Sequence, residues 1–141
     1  MIAPIVPPQA PLQELIHGPV SVPVRVRSAS DDVVYGMSTV GEAGRILDRH
    51  LLARLGWVPG THLDIGCEKH GLLVASPAVD GVAVVTGDEF FRIPFRLRRR
   101  VSLFIGDRVL LIGRRSRNRL AIHPPAAMDE LLGTSLRLLE R

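Results

Sequence analysis

Apolar and polar positions follow the same order twice along the chain between residues 33 and 124. Each copy has an apolar stretch ending at a glycine–acid pair, a short extended piece, a short amphipathic segment and two alternating stretches. Alternation with a period of two indicates strands buried on one side, whereas spacings of three and four indicate a helix. The pattern therefore predicts two βαββ units, over residues 33–78 and 79–124.

The two units align when 46 is added to the residue number, and this single offset keeps glycines and apolar positions in step. One further residue in the turn before the last strand brings residues 73–77 onto 120–124. The matched pairs are Gly41 with Gly87, Leu47 with Ile93, Leu51 with Leu97, Arg54 with Arg100, Gly60 with Gly106, and Leu63 with Val109. The repeat predicts one fold for both copies, mainly β with short helices.

Capping residues place one helix in each copy, at residues 48–55 and 94–101. Asp48 is suited to the N-cap, Pro94 to a first helical position, and Gly56 to the residue that ends a helix. After the second copy, residues 125–141 predict a C-terminal helix that runs over 126–132 and resumes over 134–139. Its paired leucines are suited to packing on the barrel or on a partner.

The first 32 residues predict a Pro-rich, largely disordered arm, because six prolines fall within the first 23 positions. Alternating apolar and basic residues around Arg25 and Arg27 indicate an edge strand or a basic arm. No stretch approaches the roughly 18 apolar residues of a membrane span. A single cysteine, Cys67, and the absence of a secretion signal favour the cytoplasm.

Charge is concentrated in the second copy. The formal net charge is +4, but ten arginines and only one acid, Asp107, fall between Arg92 and Arg119. A high-GC genome would favour arginine over lysine codons, so the clustering is more informative than the residue type. Arginine presents a planar fork that matches phosphate and guanine edges, which points to nucleic acid.

Two arginine clusters are candidate DNA contacts. On the second helix, Arg96, Arg99 and Arg100 share one face and Arg98 lies beside them; a plain solvated face is the alternative. The other cluster, on the hairpin turn of the second copy, consists of Arg114, Arg115 and Arg117. A flexible turn of this composition binds phosphates without reading sequence, although a solubilising loop is equally compatible with it.

Catalysis and metal binding have little support. His62, Cys67 and His70 are close in sequence, but alternation along the strand puts His62 and Cys67 on opposite sides, and no fourth ligand is evident. No nucleophile motif or phosphate-binding glycine loop is present. Trp57 is interpreted as a core residue. The expectation is a protein that is not an enzyme and uses no metal or cofactor.

Several strings resemble the AbrB-like (SpoVT/MazE/MraZ-type) swapped-hairpin DNA-binding family. They are Gly44-Arg45-Ile46, Leu55-Gly56-Trp57-Val58-Pro59-Gly60-Thr61 and Leu63-Asp64-Ile65 in the first copy, and Arg92-Ile93-Pro94, Leu97-Arg98 and Gly106-Asp107-Arg108-Val109 in the second. The first copy departs from the family pattern in having Asp48 where the family has proline. The similarity covers about residues 33–124, and two copies in one chain are typical of the MraZ branch, whose second-motif signatures are not matched.

The resemblance implies a swapped-hairpin AbrB-like β-barrel and a DNA-binding transcriptional regulator, sequence-specific or architectural, that associates with the nucleoid. By position it nominates Arg45 and Arg92 as DNA contacts, and Arg98 less directly. It also implies a homodimer or higher homo-oligomer on double-stranded DNA. The alternative is an antitoxin or adaptor module whose C-terminal helix binds a protein partner. Whether hairpins exchange within or between chains is open at this point.

Overall fold

The structure is a computed structural model that describes residues 29–141. The arm expected over residues 1–32 therefore lies almost entirely outside the described residues, as do Arg25 and Arg27. The two predicted copies and the C-terminal helix lie within them.

Each copy folds into the order of elements that the pattern predicts. The first copy contains β1 (Val33–Thr39), β2 (Arg45–Leu47), α1 (Arg49–Leu55), β3 (His62–Cys67) and β4 (Leu73–Pro77). The second contains β5 (Ala83–Val84), β6 (Phe90–Arg92), α2 (Phe95–Arg100), β7 (Arg108–Arg114) and β8 (Arg119–His123), and α3 (Pro125–Leu131) and α4 (Gly133–Leu138) follow. The prediction of a strand-rich fold with short helices and an interrupted C-terminal helix is confirmed.

The first strand of each copy pairs with the third strand of the other copy. An antiparallel six-stranded sheet has the order β1-β7-β8-β4-β3-β5, and β2 pairs with β6 in a separate two-stranded ribbon. If each strand is replaced by its counterpart in the other copy, the same strand order results, read from the opposite edge of the sheet. The strand exchange is therefore complete within one chain. Within residues 29–141 the edge strands β1 and β5 do not pair with each other, so the ladder does not show a closed barrel.

A pseudo-twofold axis relates the copies. It passes between Ile46 and Phe91, which are paired in the ribbon, and between Val74 and Ala121, which are paired in the sheet. In each of these pairs, a residue faces its own counterpart from the other copy. The repeat read from the sequence is thus a structural repeat.

The uniform offset of 46 is wrong for the first part of the repeat. In the first copy the Gly41 N–H donates to Arg45 O at 2.9 Å, and in the second the Thr86 N–H donates to Phe90 O at 2.8 Å. These two hydrogen bonds are equivalent, so residue numbers in this part of the repeat differ by 45. The second copy has one additional residue, Ile93, between its ribbon strand and its helix. Matching glycine to glycine concealed this insertion. Arg45 consequently corresponds to Phe90.

The two helices differ in how firmly they are anchored. The Asp48 carboxylate accepts a hydrogen bond from the Leu51 N–H at 3.0 Å, and Gly56 ends α1 with φ 75°, as expected. Pro94 occupies the N-cap of α2 rather than its first helical position, and no side chain caps α2. Helix α1 buries three leucines, whereas α2 has no fully buried residue.

One core lies between the ribbon and the inner face of the sheet. Ile46 and Phe91 of the ribbon belong to the same cluster of buried residues as Leu73, Leu120 and Ile122 of the sheet. Trp57 is buried with them, as the sequence predicts. The outward side of the ribbon and the outward side of the sheet therefore lie at opposite ends of the pseudo-twofold axis.

Helix α3 covers one end of the sheet's outer face. It contacts β7, β8 and the short turn Lys69–Gly71. His123 is on the outward row of β8 and is nevertheless buried, and this burial lowers the pKa of its imidazole. Helix α4 leaves its leucines exposed. Over the part of the chain that is described, no helix is both long and apolar enough to cross a membrane.

Candidate nucleic-acid interface

The outward side of the ribbon consists of Arg45, Leu47, Phe90 and Arg92. Arg45 lies directly opposite Arg92 in the β2–β6 ladder. Like charges in this arrangement repel each other. Both guanidinium groups lie near the Phe90 ring, with Cζ 5.7 Å and 4.8 Å from its centroid for Arg45 and Arg92. The ring's negative face attracts both cations, so Phe90 holds two exposed charges side by side.

Helix α2 extends the cationic surface beyond the ribbon. Its exposed Phe95 ring has Arg99 Cζ at 6.0 Å and Arg98 Cζ at 5.4 Å from its centroid. Arg96, Arg99 and Arg100 are all exposed, and none of them has an acidic partner among residues 29–141. Three uncompensated cations on two helical turns favour a polyanionic ligand.

Arg98 has a different role from its neighbours on α2. Its Nε donates a hydrogen bond to the backbone oxygen of Ile93 at 2.9 Å, and the side chain is half-buried against Gly44. Arg98 therefore ties α2 to the segment directly before it and packs against the turn that precedes β2. Among the four arginines of α2, it is the one whose guanidinium donates a hydrogen bond to the backbone.

The ribbon and α2 form one continuous surface. A shallow groove of about 520 Å³ is lined by both Arg92 and Phe95, and it includes Ala43 from the turn before β2. We call this surface the ribbon face. It consists of Arg45, Phe90, Arg92, Phe95, Arg96, Arg99 and Arg100.

An ion pair lies at the opposite end of the ribbon from α2. Glu89, beside Phe90, has its Oε1 3.6 Å from Nε of Arg49 at the start of α1. Arg45 and Arg92 are paired at the end where the chain continues towards α2. The arginines of the ribbon face therefore lie towards α2, whereas the Glu89–Arg49 pair lies towards α1.

The second predicted cluster, on the turn between β7 and β8, is held by internal hydrogen bonds. Asp32 accepts from the Ser116 N–H at 2.7 Å, from Ser116 Oγ at 2.8 Å and from Arg114 Nη1 at 3.2 Å. Arg115 Nε donates to Arg54 O at 3.2 Å. Asp32, 84 positions earlier in the chain, therefore organises this turn, which the sequence predicts to be flexible.

These bonds also perturb Asp32 itself. Hydrogen bonds from Ser116, with the nearby Arg114 charge, hold the pKa of the Asp32 carboxyl below its ordinary value. A lowered folded-state pKa contributes stability that is present above about pH 4, the ordinary range of aspartate, and is lost as pH falls through the folded value.

We expect Asp32→Asn to lower the melting temperature near neutral pH, since Asn cannot supply the charge-assisted bonds to Ser116 and Arg114. The difference from wild type should shrink as the pH is lowered below about 4, and it should disappear below the lowered pKa of the folded carboxyl, where the wild-type group is neutral as well. Melting curves followed by circular dichroism test this. Asp31→Asn is the matched control, and an equal effect of both variants would contradict the assignment.

The arginine clusters lie on different surfaces. Arg114, Arg117 and Arg119 line the outer side of the sheet, at the other end of the pseudo-twofold axis from the ribbon face. Of the nine arginines predicted to contact DNA, the structure brings together Arg45, Arg92, Arg96, Arg99 and Arg100, places Arg98 behind them, and puts Arg114, Arg115 and Arg117 elsewhere.

Sequence reasoning assigned no role to Phe90 or Phe91. The pair Phe90-Phe91 lies on one strand, where side chains alternate, so one ring must face the core and the other must face out. That signal was available. The metal reading of His62, Cys67 and His70 gains nothing from the structure: across residues 29–141 no three ligating side chains are clustered.

Comparison with known proteins adds no relative to this picture. No protein-family model, no curated protein and no solved structure matches the chain. The AbrB-like resemblance consequently rests on the residues quoted for it.

Proposed function

We propose that this protein is an AbrB-like DNA-binding regulator that contacts double-stranded DNA through the ribbon face. The observation that carries the proposal is the continuous row of exposed arginines from β2 and β6 to α2. Arg45, Arg92, Arg96, Arg99 and Arg100 contribute five positive charges, and the pairs seen elsewhere in residues 29–141 neutralise none of them.

The shape of the ribbon face is compatible with duplex DNA. A two-stranded antiparallel ribbon fits the major groove of B-DNA. In this arrangement Arg45 and Arg92, braced by Phe90, reach base edges or phosphates, whereas the α2 arginines lie along the adjacent backbone. Phosphate contacts from α2 would position the protein, and the ribbon would carry any sequence preference.

The strand exchange supports the AbrB-like part of the proposal. In a swapped-hairpin fold, the first strand of one unit pairs with a later strand of the other, as β1 does with β7 and β5 with β3. The proposal includes a closed AbrB-like barrel that has the ribbon at one end. Because both units belong to one chain, a single molecule presents one ribbon face.

Replacing Arg96, Arg99 and Arg100 with Ala should weaken DNA binding and flatten its salt dependence. Each neutralised phosphate contributes about −0.9 to the slope of log K against log salt, so the slope should fall in magnitude by roughly 2 to 3. Fluorescence anisotropy with a labelled duplex at several salt concentrations measures both quantities.

The matched control removes the same charge from the outer side of the sheet. Arg108, Arg117 and Arg119 are three exposed arginines there, and their replacement by Ala should leave the slope nearly unchanged. An unchanged slope in the α2 variant, or an equal decrease in both variants, would overturn the assignment to the ribbon face.

A further inference from the structure

An apolar groove crosses the outer face of the six-stranded sheet. Its floor is one register row formed by Tyr35 of β1, Ile112 of β7, Ala121 of β8 and Val74 of β4. The groove encloses about 930 Å³ and is open to solvent. Tyr35 is 65% exposed. Val74, Ile112 and Ala121 are partly exposed as well, so the row leaves apolar side chains open to a contact.

One end of the groove is strongly basic. Arg114, Arg117 and Arg119 line the end near the β7–β8 turn, and no acidic side chain lines the groove. The bond to Asp32 engages Arg114, whereas Arg117 and Arg119 have no acidic partner in the described part of the chain. The groove therefore fits an occupant with an apolar stripe and a carboxylate beside it.

The C-terminal helix carries such a stripe. Leu132, Leu136 and Leu139 are spaced by four and three residues, which puts them on one helical face. They are 41%, 40% and 80% exposed. Acidic residues flank the stripe, with Asp129 and Glu130 before it and Glu140 after it. Arg137, the one basic residue within α4, is occupied locally by a hydrogen bond from its Nη2 to Thr134 Oγ1 at 3.2 Å.

We propose that α4 of one molecule docks in the outer groove of a second copy of this chain, and that the second copy returns the contact. Within a single molecule α4 does not cover the groove, since Tyr35 and Leu139 both remain exposed. Helix α3, already packed on β7 and β8, shows that this face of the sheet accepts a helix. A reciprocal contact closes with twofold symmetry and buries both copies of each surface.

This dimer does not involve the ribbon face, because the groove and the ribbon lie at opposite ends of the pseudo-twofold axis. Two ribbon faces in one dimer would then contact two separate DNA segments. The dimer can be tested without DNA, so its failure and the failure of the DNA-binding proposal are independent results.

The test uses full-length protein and light scattering over a range of protein concentrations. Wild type should approach twice the chain mass of 15.4 kDa as concentration rises. A tail variant, Leu136→Asp with Leu139→Asp, and a groove variant, Tyr35→Glu with Arg119→Glu, should each remain monomeric. All four positions are exposed, so the fold should persist, and circular dichroism checks that it does.

Mixing the two variants gives the most specific readout. The groove variant retains an intact tail and the tail variant an intact groove, so the mixture should form heterodimers with one contact, weaker than wild type but stronger than either variant alone. Val58→Asp, at an exposed position of another surface, should dimerise as wild type does. A monomeric wild type would overturn the proposal, as would a groove variant that still dimerises, which would show pairing between tails.

Discussion

Replacing Phe91 with Ala should lower the free energy of unfolding by about 3–5 kcal/mol, the usual cost of removing a buried phenylalanine. Phe91 is completely buried, at the point where the pseudo-twofold axis crosses the ribbon, and faces Ile46 across the ladder. The loss would detach the ribbon from the core that both copies share. Urea denaturation followed by circular dichroism measures it.

The adjacent residue is a control of the same type on the same strand. Phe90 points outward and is half-buried, so Phe90→Ala should cost much less, on the order of 1 kcal/mol. It should instead weaken DNA binding, because Arg45 and Arg92 lose the ring that holds them together. Equal destabilisation by the two substitutions would show that the ribbon does not alternate as described.

Gly44→Ala should destabilise the protein by about 2–3 kcal/mol, the sum of left-handed backbone strain and a lost hydrogen bond. Gly44 has φ +85°, and an added Cβ would lie 2.5 Å from Ile93 O and 2.6 Å from Arg98 Nε. The new methyl group would clash with the Ile93 oxygen and with the Arg98 side chain that donates a hydrogen bond to it. Thermal or urea unfolding gives the magnitude.

Gly87, which has free space around it, provides the control for Gly44→Ala. An added Cβ at Gly87 meets nothing within 4 Å, and its φ lies outside the left-handed region. Gly87→Ala should therefore change stability by no more than about 0.5 kcal/mol. If both alanine variants lost the same stability, the close approach of Arg98 to Gly44 would not be the cause.

Local signals in the sequence were sufficient for the elements of each copy. Asp48 and Gly56 bound α1 because a carboxylate cap and a left-handed glycine act within one turn of chain. The exact offset was not accessible in this way. The extra Ile93 between β6 and α2 is fully buried. Because it is one more apolar residue among apolar residues, the hydrophobic pattern does not reveal the insertion.

The sequence was sufficient to predict the positive charge of the candidate site, but not the positions of its side chains. The clustering of arginine in the second copy is a property of the sequence, whereas Arg98 turns inward because Gly44, 54 positions earlier, leaves room for it. Asp32 and the turn at Ser116 meet across 84 positions. Contacts of this kind depend on which strands become neighbours in the sheet, and the hydrophobic pattern of one strand does not specify its neighbours.

The exchange of strands within one chain has a consequence for synthesis on the ribosome. Strand β1 is made early, but its partner β7 begins at Arg108, 75 residues after Val33. Until β7 leaves the exit tunnel, β1 has an unpaired edge and an uncovered apolar side, the condition in which nascent strands associate wrongly. Contacts so distant in sequence also slow folding. Two linked copies free the fold from the need to meet a second chain, and in return the first strand must wait for most of the second copy.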